Sequence, residues 1–195
     1  MADTTRRQYR LRGEHVHLRP LEIGDVERLH EWGRDGEYAR FTGEPPRTLE
    51  QRRRRHEKLE EAADTVVQFA ICRLDDDQMV GHGSLFDIDR INGSAALGIA
   101  IGPAFWSRGY GTDAVNAIVD FGFGELRLER IWLGTAADNE RGQRAYRRAG
   151  FTEEVRQRRA YVDRGAHIDE ILMSILRAEW TALPRRRSWD YLEGG

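Results

Sequence analysis

Apolar positions along this chain switch repeatedly between a period of two and a period near 3.6, and the switches outline interleaved strands and helices. Residues His15 to Leu18 alternate as a first strand, and Pro20 leads into a helix from about Ile23 to Gly33. Pro45 and Pro46 interrupt the chain, and Thr48 with Gln51 then forms the capping-box signature of a second helix that runs to about Ala62. Residues 66–73 and 78–86 read as a hairpin turned at Asp75, Asp76 and Asp77, whose short acidic side chains tolerate turn geometry. Asn92-Gly93 makes a second turn, into a strand that ends at Ile99 and Ile101.

Beyond that strand the pattern becomes chemically specific. Gly109 and Gly111 bracket a tight turn, after which Val115, Ile118, Val119 and Gly122 recur at i, i+3, i+4 and i+7. The backbone amides of Arg108 to Thr112 are therefore expected to point outward together at a helix start. Unpaired N–H groups and the positive end of the helix dipole favour a bound phosphate, and glycine lets it approach without a β-carbon in the way. A strand follows, then Asn139 opens another helix, with Tyr146 two turns along the same face, before Gly150 and Phe151 close it. Glu153 to Ala160 and Ile168 to Leu176 read as a closing strand pair. No internal repeat and no linker divides the chain, so the pattern predicts one domain of α and β elements around a single sheet.

Glycine turn and following helix together resemble the acyl-CoA site of the GNAT superfamily of N-acetyltransferases. The turn is framed by Trp106, Gly109 and Gly111, with Trp106 in place of the usual Gln or Arg, and the string W-x-x-G-Y-G-T is similar to the branch of ribosomal-protein N-terminal (alanine/serine) acetyltransferases. Residues Asn139 to Phe151 (NERGQRAYRRAGF) resemble the family's later motif. The resemblance covers residues 14–180 as one N-acetyltransferase domain, leaving 1–13 and 181–195 as terminal extensions. It implies an α/β (α+β) fold with a mixed, mostly antiparallel central sheet flanked by helices, and acyl-CoA held in a splay between the fourth and fifth strands. Ile99, Ala100 and Ile101 would meet pantetheine and the thioester carbonyl. Trp106, Ser107, Arg108, Gly109, Tyr110, Gly111, Thr112, Asn139 and Arg144 complete the implied acetyl-CoA site.

Composition narrows the function class. The chain has 195 residues, of which 39% are apolar, enough for a full core. Its 31 Lys+Arg nearly cancel 33 Asp+Glu, for a formal charge of -2, so no global basic field recruits nucleic acid. Arg52 to Arg55 lie at helical spacing with Glu50 and Glu57 and read as a solvated, self-paired face. Arg156, Arg158 and Arg159 are scattered across two strand faces, and Arg185 to Arg187 read as a flexible tail. Cys72 alternates with Phe69 and Ile71 as a buried filler and has no partner for an internal disulfide. The six histidines show no His-x-x-x-His pair or companion cysteine cluster, so no metal is expected. With no apolar stretch of signal or membrane-spanning length, a cytoplasmic protein is expected.

Acyl transfer to an amine requires a proton acceptor for the ammonium and a proton donor for the departing thiolate. Tyr146 suits the second task, since its phenol keeps its proton at neutral pH and the resemblance puts this tyrosine close to the acyl-CoA sulfur. Relatives often carry a strand glutamate as base, but the matching places hold Ser84 and Ala96. Asp87, expected to share the facing of Leu85, Glu37 and a water relay are the alternatives, while Asp89 just beyond reads as a turn residue before Asn92. Trp32, Tyr38 and Phe41, with Glu37 in the loop between the first two helices, are the expected acceptor pocket. By resemblance a protein N-terminus comes first as the amine, with a polyamine, against which the missing strand glutamate argues, an amino acid and an antibiotic as alternatives. A non-catalytic CoA-sensing or nucleic-acid-associated module is the reading from another class. The apolar residues Ile168, Ile171, Leu172, Ile175 and Leu176 near the chain end suggest a homodimer.

Overall fold

Alternation in the middle strands gives the molecule two differently used faces. The computed structural model describes residues 11–191; most of the expected head, and residues 192–195, lie outside them. Strands β1 (Val16–Pro20), β2 (Val67–Arg73), β3 (Met79–Asp89), β4 (Ser94–Ile101), β5 (Arg130–Ala136), β6 (Thr152–Asp163) and β7 (Ala166–Leu176) form one sheet in the order β1-β2-β3-β4-β5-β7-β6. In β2, Phe69 and Ile71 join the main core, whereas Ala70 and Cys72 join a second cluster on the opposite face. Burial pushes the Cys72 thiol up to about 11, in keeping with a filler rather than a nucleophile.

Helix α4 (Tyr110–Gly124) covers the main face, with Ala114, Val115, Ala117, Ile118, Val119 and Phe123 at most 1% exposed. Burying each of its larger apolar side chains contributes about 1.5–3 kcal/mol. Gly122 lets this helix approach closely, because a Cβ there would lie 2.7 Å from Ile131 Cδ1. Helices α1 (Val26–Trp32), α2 (Gly36–Thr42) and α3 (Leu49–Glu61) precede the hairpin. Of these, α1 and α2 supply Trp32 and Tyr38 to the second cluster. The Thr48–Gln51 capping box is present at the start of α3. Glu50 and Arg54 pair at 3.0 Å, while Arg53 reaches Glu27 at 2.6 Å instead of its i+4 neighbour Glu57. In the β2–β3 turn, Asp77 takes a left-handed φ of 59° and meets His17 Nε2 at 2.6 Å, tying the turn to β1.

All neighbouring strands are antiparallel except β4 and β5, which α4 joins as a crossover. That parallel pair holds for only Ser94–Arg130, Ala95–Ile131 and Ala96–Trp132 before the strands diverge. Helix α5 (Glu140–Arg148) follows β5, and α6 (Arg177–Ala182) follows β7. The arginine tail expected to be flexible is packed instead. Asp120 of α4, 1% exposed, accepts hydrogen bonds from Arg185 at 2.7 and 3.0 Å, from the Ser188 amide at 2.8 Å and from Trp180 Nε1 at 2.8 Å.

Candidate functional site

Divergence of β4 from β5 creates the site. Residues 97–101 of β4 stay hydrogen-bonded to β3 on one side, and β5 stays paired with β7 along its whole length. The edge of β4 that faces β5 is therefore free of strand pairing beyond Ala96 and open to an extended ligand. A cleft of about 1170 Å³ runs from this opening past the start of α4 and onto the sheet face opposite α4. Every residue expected at the donor site lines it, from Ile99, Ala100 and Ile101 through Trp106 to Thr112, together with Asn139 and Arg144.

At the start of α4 the backbone does what glycine and dipole arguments require. Gly109 has φ 86°, a left-handed conformation that strains other residues, and a Cβ there would meet nothing within 4 Å. Ser107 is also left-handed, at φ 60°. Among the described residues no protein group accepts the amides of Arg108 to Thr112, so they remain available to an anion. Trp106, which replaces the expected polar residue, donates from Nε1 to the Ile101 carbonyl at 2.6 Å and carries the Arg141 guanidinium 3.9 Å over its ring. Asn139 caps α5: its Oδ1 accepts the Gly142 amide at 3.0 Å and its Nδ2 donates to Thr135 Oγ1 at 3.1 Å. Arg144 and Arg148 extend along the same helix into the cleft wall.

Tyr146 lies where α5 meets the splay, 9% exposed and 6.2 Å from the Phe151 ring. Among the described residues its hydroxyl has no hydrogen-bond partner, and burial alone pushes its pKa up to about 12, which keeps the proton on the oxygen.

On the opposite face, His82, Ser84 and Phe86 of β3 form a row beside the small residues Ala100, Gly98 and Ala96 of β4. A Cβ on Gly98 would lie 3.3 Å from both Phe86 Cε1 and Ser84 Oγ. His82 Nε2 lies 3.2 Å from Tyr38 Oη, and burial lowers its pKa to about 4, so the ring is neutral near pH 7.

Three expectations for the acceptor side need correction. Asp87 does not share the facing of Leu85: the β3–β4 register shifts between Phe86 and Asp89, Asp87 turns left-handed at φ 50°, and its side chain is exposed outside the cleft. Glu37 is not in a loop. It belongs to α2, where Asp35 caps the Tyr38 amide at 2.9 Å, and it pairs with Arg141 at 3.1 Å rather than lining the cleft. Trp32 is 8% exposed and stands behind the cleft wall, 6.1 Å from Tyr38 and 6.4 Å from Phe105. Tyr38 and Phe41 do line the cleft.

Helix α2 is held over the opening by charge. Arg40 pairs with Asp138 and, at 2.8 Å, with Asp163, while Glu37 holds Arg141. His82 and α2 were both missed in the sequence. Strand alternation around Leu85 places His82 on the cleft face, and Asp35 with Gly43 marks both ends of α2, but seven residues are too few to show a helical period.

A family model described as an acetyltransferase (GNAT) domain matches residues 15–152. The chain is 32% identical over 176 residues to a probable N-acetyltransferase of Bacillus subtilis, YjcK, covering 85% of this chain and 96% of that one. It is 30% identical over 183 residues to the putative ribosomal N-acetyltransferase YdaF of the same organism, covering 86% and 94%. It is 26% identical over 174 residues to the spermidine N(1)-acetyltransferase of Escherichia coli, covering 86% and 89%. Among solved structures, spermidine N-acetyltransferase from Vibrio cholerae in complex with CoA and spermine shares the fold, with a TM-score of 0.80 at 24% identity over 85% of this chain and 98% of that one. With a matching family model across most of its length and a relative 32% identical over nearly all of its own, the chain belongs to the GNAT family of N-acetyltransferases, for which acetyl-CoA is the acyl donor.

Proposed function

We propose that this enzyme moves the acetyl group of acetyl-CoA onto a primary amine by direct attack in a ternary complex, and that the amine is a protein or peptide N-terminus. The observation that carries the reading is the splay itself: one cleft joins the free edge of β4 to the face roofed by α2. A donor on that edge and an acceptor on that face meet without a covalent enzyme intermediate. The amides of Arg108 to Thr112 hold the pyrophosphate, residues 99–101 pair with pantetheine and polarise the thioester carbonyl, and Tyr146 protonates the departing sulfur.

The acceptor is read from charge. Glu44 in the cleft wall is engaged by Arg52 and, at 3.8 Å, by Arg55, and Asp163 is engaged by Arg40 at 2.8 Å. A polyamine carries several ammonium groups, each of which needs a free acceptor to leave water. Two of the three cleft carboxylates are thus paired with arginine, and the third, Glu170, accepts the Tyr161 hydroxyl, an arrangement that favours an amine whose remaining body is neutral, such as a peptide N-terminus. The similarity to spermidine acetyltransferases supports the second reading, a polyamine. Among the described residues no helix is long and apolar enough to cross a membrane, which is compatible with work in the cytoplasm.

A thiol-release assay with acetyl-CoA across peptides beginning with Ala or Ser, spermidine, amino acids and aminoglycosides tests the reading. Peptide acetylation at the α-amine is the expected result. Turnover confined to spermidine transfers the assignment to the polyamine reading, and acetyl-CoA binding with no amine-dependent release sinks the catalytic one.

A further inference from the structure

With Asp87 outside the cleft, the proton that an acceptor ammonium sheds before it attacks goes to another side chain or to water. We propose that it goes to a side chain, His82, which receives the proton on Nδ1 while its Nε2–H donates to Tyr38 Oη. The inference rests on the acetyl-transfer reading and adds the catalytic residue that reading lacks.

Three observations carry it. First, strand pairing fixes the side: His82 sits opposite Ala100 of β4 and Ala70 of β2, on the sheet face away from α4. Tyr146 packs in the α4-side core. A thioester along the free edge of β4 therefore has a histidine toward one face and a phenol toward the other. Second, the β4 residues beside His82 and Ser84 are Ala100 and Gly98, so an amine can cross from His82 to the thioester over low side chains. Third, Tyr38 meets only one ring nitrogen, at 3.2 Å, and among the described residues Nδ1 has no protein partner. The bond to one nitrogen decides what the other can do.

The charge environment keeps the imidazole in its basic form. Its two strand partners are not titratable; Tyr38 of α2, Glu44 beyond α2 and Arg52 of α3 are the groups that face it, and Glu44 and Arg52 pair with each other. Burial dominates and disfavours the imidazolium, so the ring stays neutral down to about pH 4. The same burial disfavours the acceptor's ammonium, which lowers the cost of moving the proton between them.

The step balances as follows. One proton leaves the ammonium for Nδ1, and the freed lone pair forms the C–N bond at the thioester carbonyl carbon. The C–S bond breaks and its electron pair goes to sulfur, which takes the Tyr146 proton. The second N–H proton, lost as the amide forms, replaces the one Tyr146 gave, and His82 returns its proton to solvent.

The pH dependence of kcat/KM for the acceptor amine tests this. If neutral His82 works on the ammonium, the parent profile is flat from about pH 5 up to the pKa of the amine. His82→Gln, which retains a hydrogen-bonding side chain without a titrating base, must wait for free amine. Its profile then climbs about tenfold per pH unit, and its rate at pH 7 is about 10²-fold below the parent. Tyr38→Phe keeps the base but frees the ring, so turnover falls about tenfold or more while the profile stays flat. Unchanged affinity of His82→Gln for acetyl-CoA shows that the sheet is intact. A parent profile that already climbs with unit slope overturns the proposal, whether or not the variant folds. So does a His82→Gln enzyme that keeps the parent's rate and flat profile. A parent that releases no thiol with any amine overturns the transfer reading, and this inference with it.

Discussion

A phenol can protonate a thiolate only while it still holds its own proton, and the packing around Tyr146 keeps it there. The raised pKa, about 12, comes from burial alone, with no partner on the hydroxyl among the described residues. Tyr146→Phe retains the ring against Phe151 and removes only the hydroxyl. We expect turnover at saturating acetyl-CoA to fall about 10²-fold with cofactor affinity unchanged, and single-turnover kinetics to place the loss in the chemical step. An unaffected chemical step assigns the proton to water and leaves Tyr146 a packing residue. Tyr146 and Gly109 were legible in the sequence because a helical period and a paired-glycine turn are local signals. Asp87 was misread because alternation assumes a regular strand, and one left-handed residue at φ 50° breaks the count. His82 was legible only as a position on a strand face; its neutrality and its bond to Tyr38 depend on residues 44 positions away.

Beyond single residues, α4 anchors segments near both limits of the described residues as well as carrying the glycine turn at its start. Asp113 in its first turn accepts the amides of Glu14, His15 and Val16 at 3.0, 2.8 and 3.0 Å. Two turns on, along the same face, Asp120 holds Trp180, Arg185 and Ser188. Replacing Asp120 with Ala would leave a part-buried guanidinium and a buried indole N–H without their acceptor. We expect a loss of about 3–5 kcal/mol in urea unfolding at unchanged slope. A loss below about 1 kcal/mol would mean that the docked tail contributes little to the fold. The seven strands, the capped α3 and the crossover helix followed from periodicity, caps and turns. Helix α2 was too short for a period, and the docking of the tail depends on a charge pair 65 residues apart.

For the molecule as a whole, the sheet ends in β1 and β6, and edges invite partners. The apolar residues that suggested a homodimer are partly spent: Ile171 and Ile175 are at most 2% exposed in the chain's own core, and Leu176 is 41% exposed. The edge strand β6 instead presents Val155 at 47% and Val162 at 66% exposure, which keeps the expectation of a two-fold pair on different residues. Light scattering at micromolar concentration should report twice the chain mass; a monomer would remove that expectation. Calorimetric titration with acetyl-CoA shows whether the splay and the amides at the start of α4 form the donor site. The parent and Gly109→Asp are compared after circular dichroism has shown both to be folded. Aspartate tolerates the left-handed backbone better than most residues, so the change chiefly adds a negative charge where phosphate must sit. One acetyl-CoA should bind per parent chain and none measurably to the variant; equal affinity in the two proteins would put the donor somewhere else.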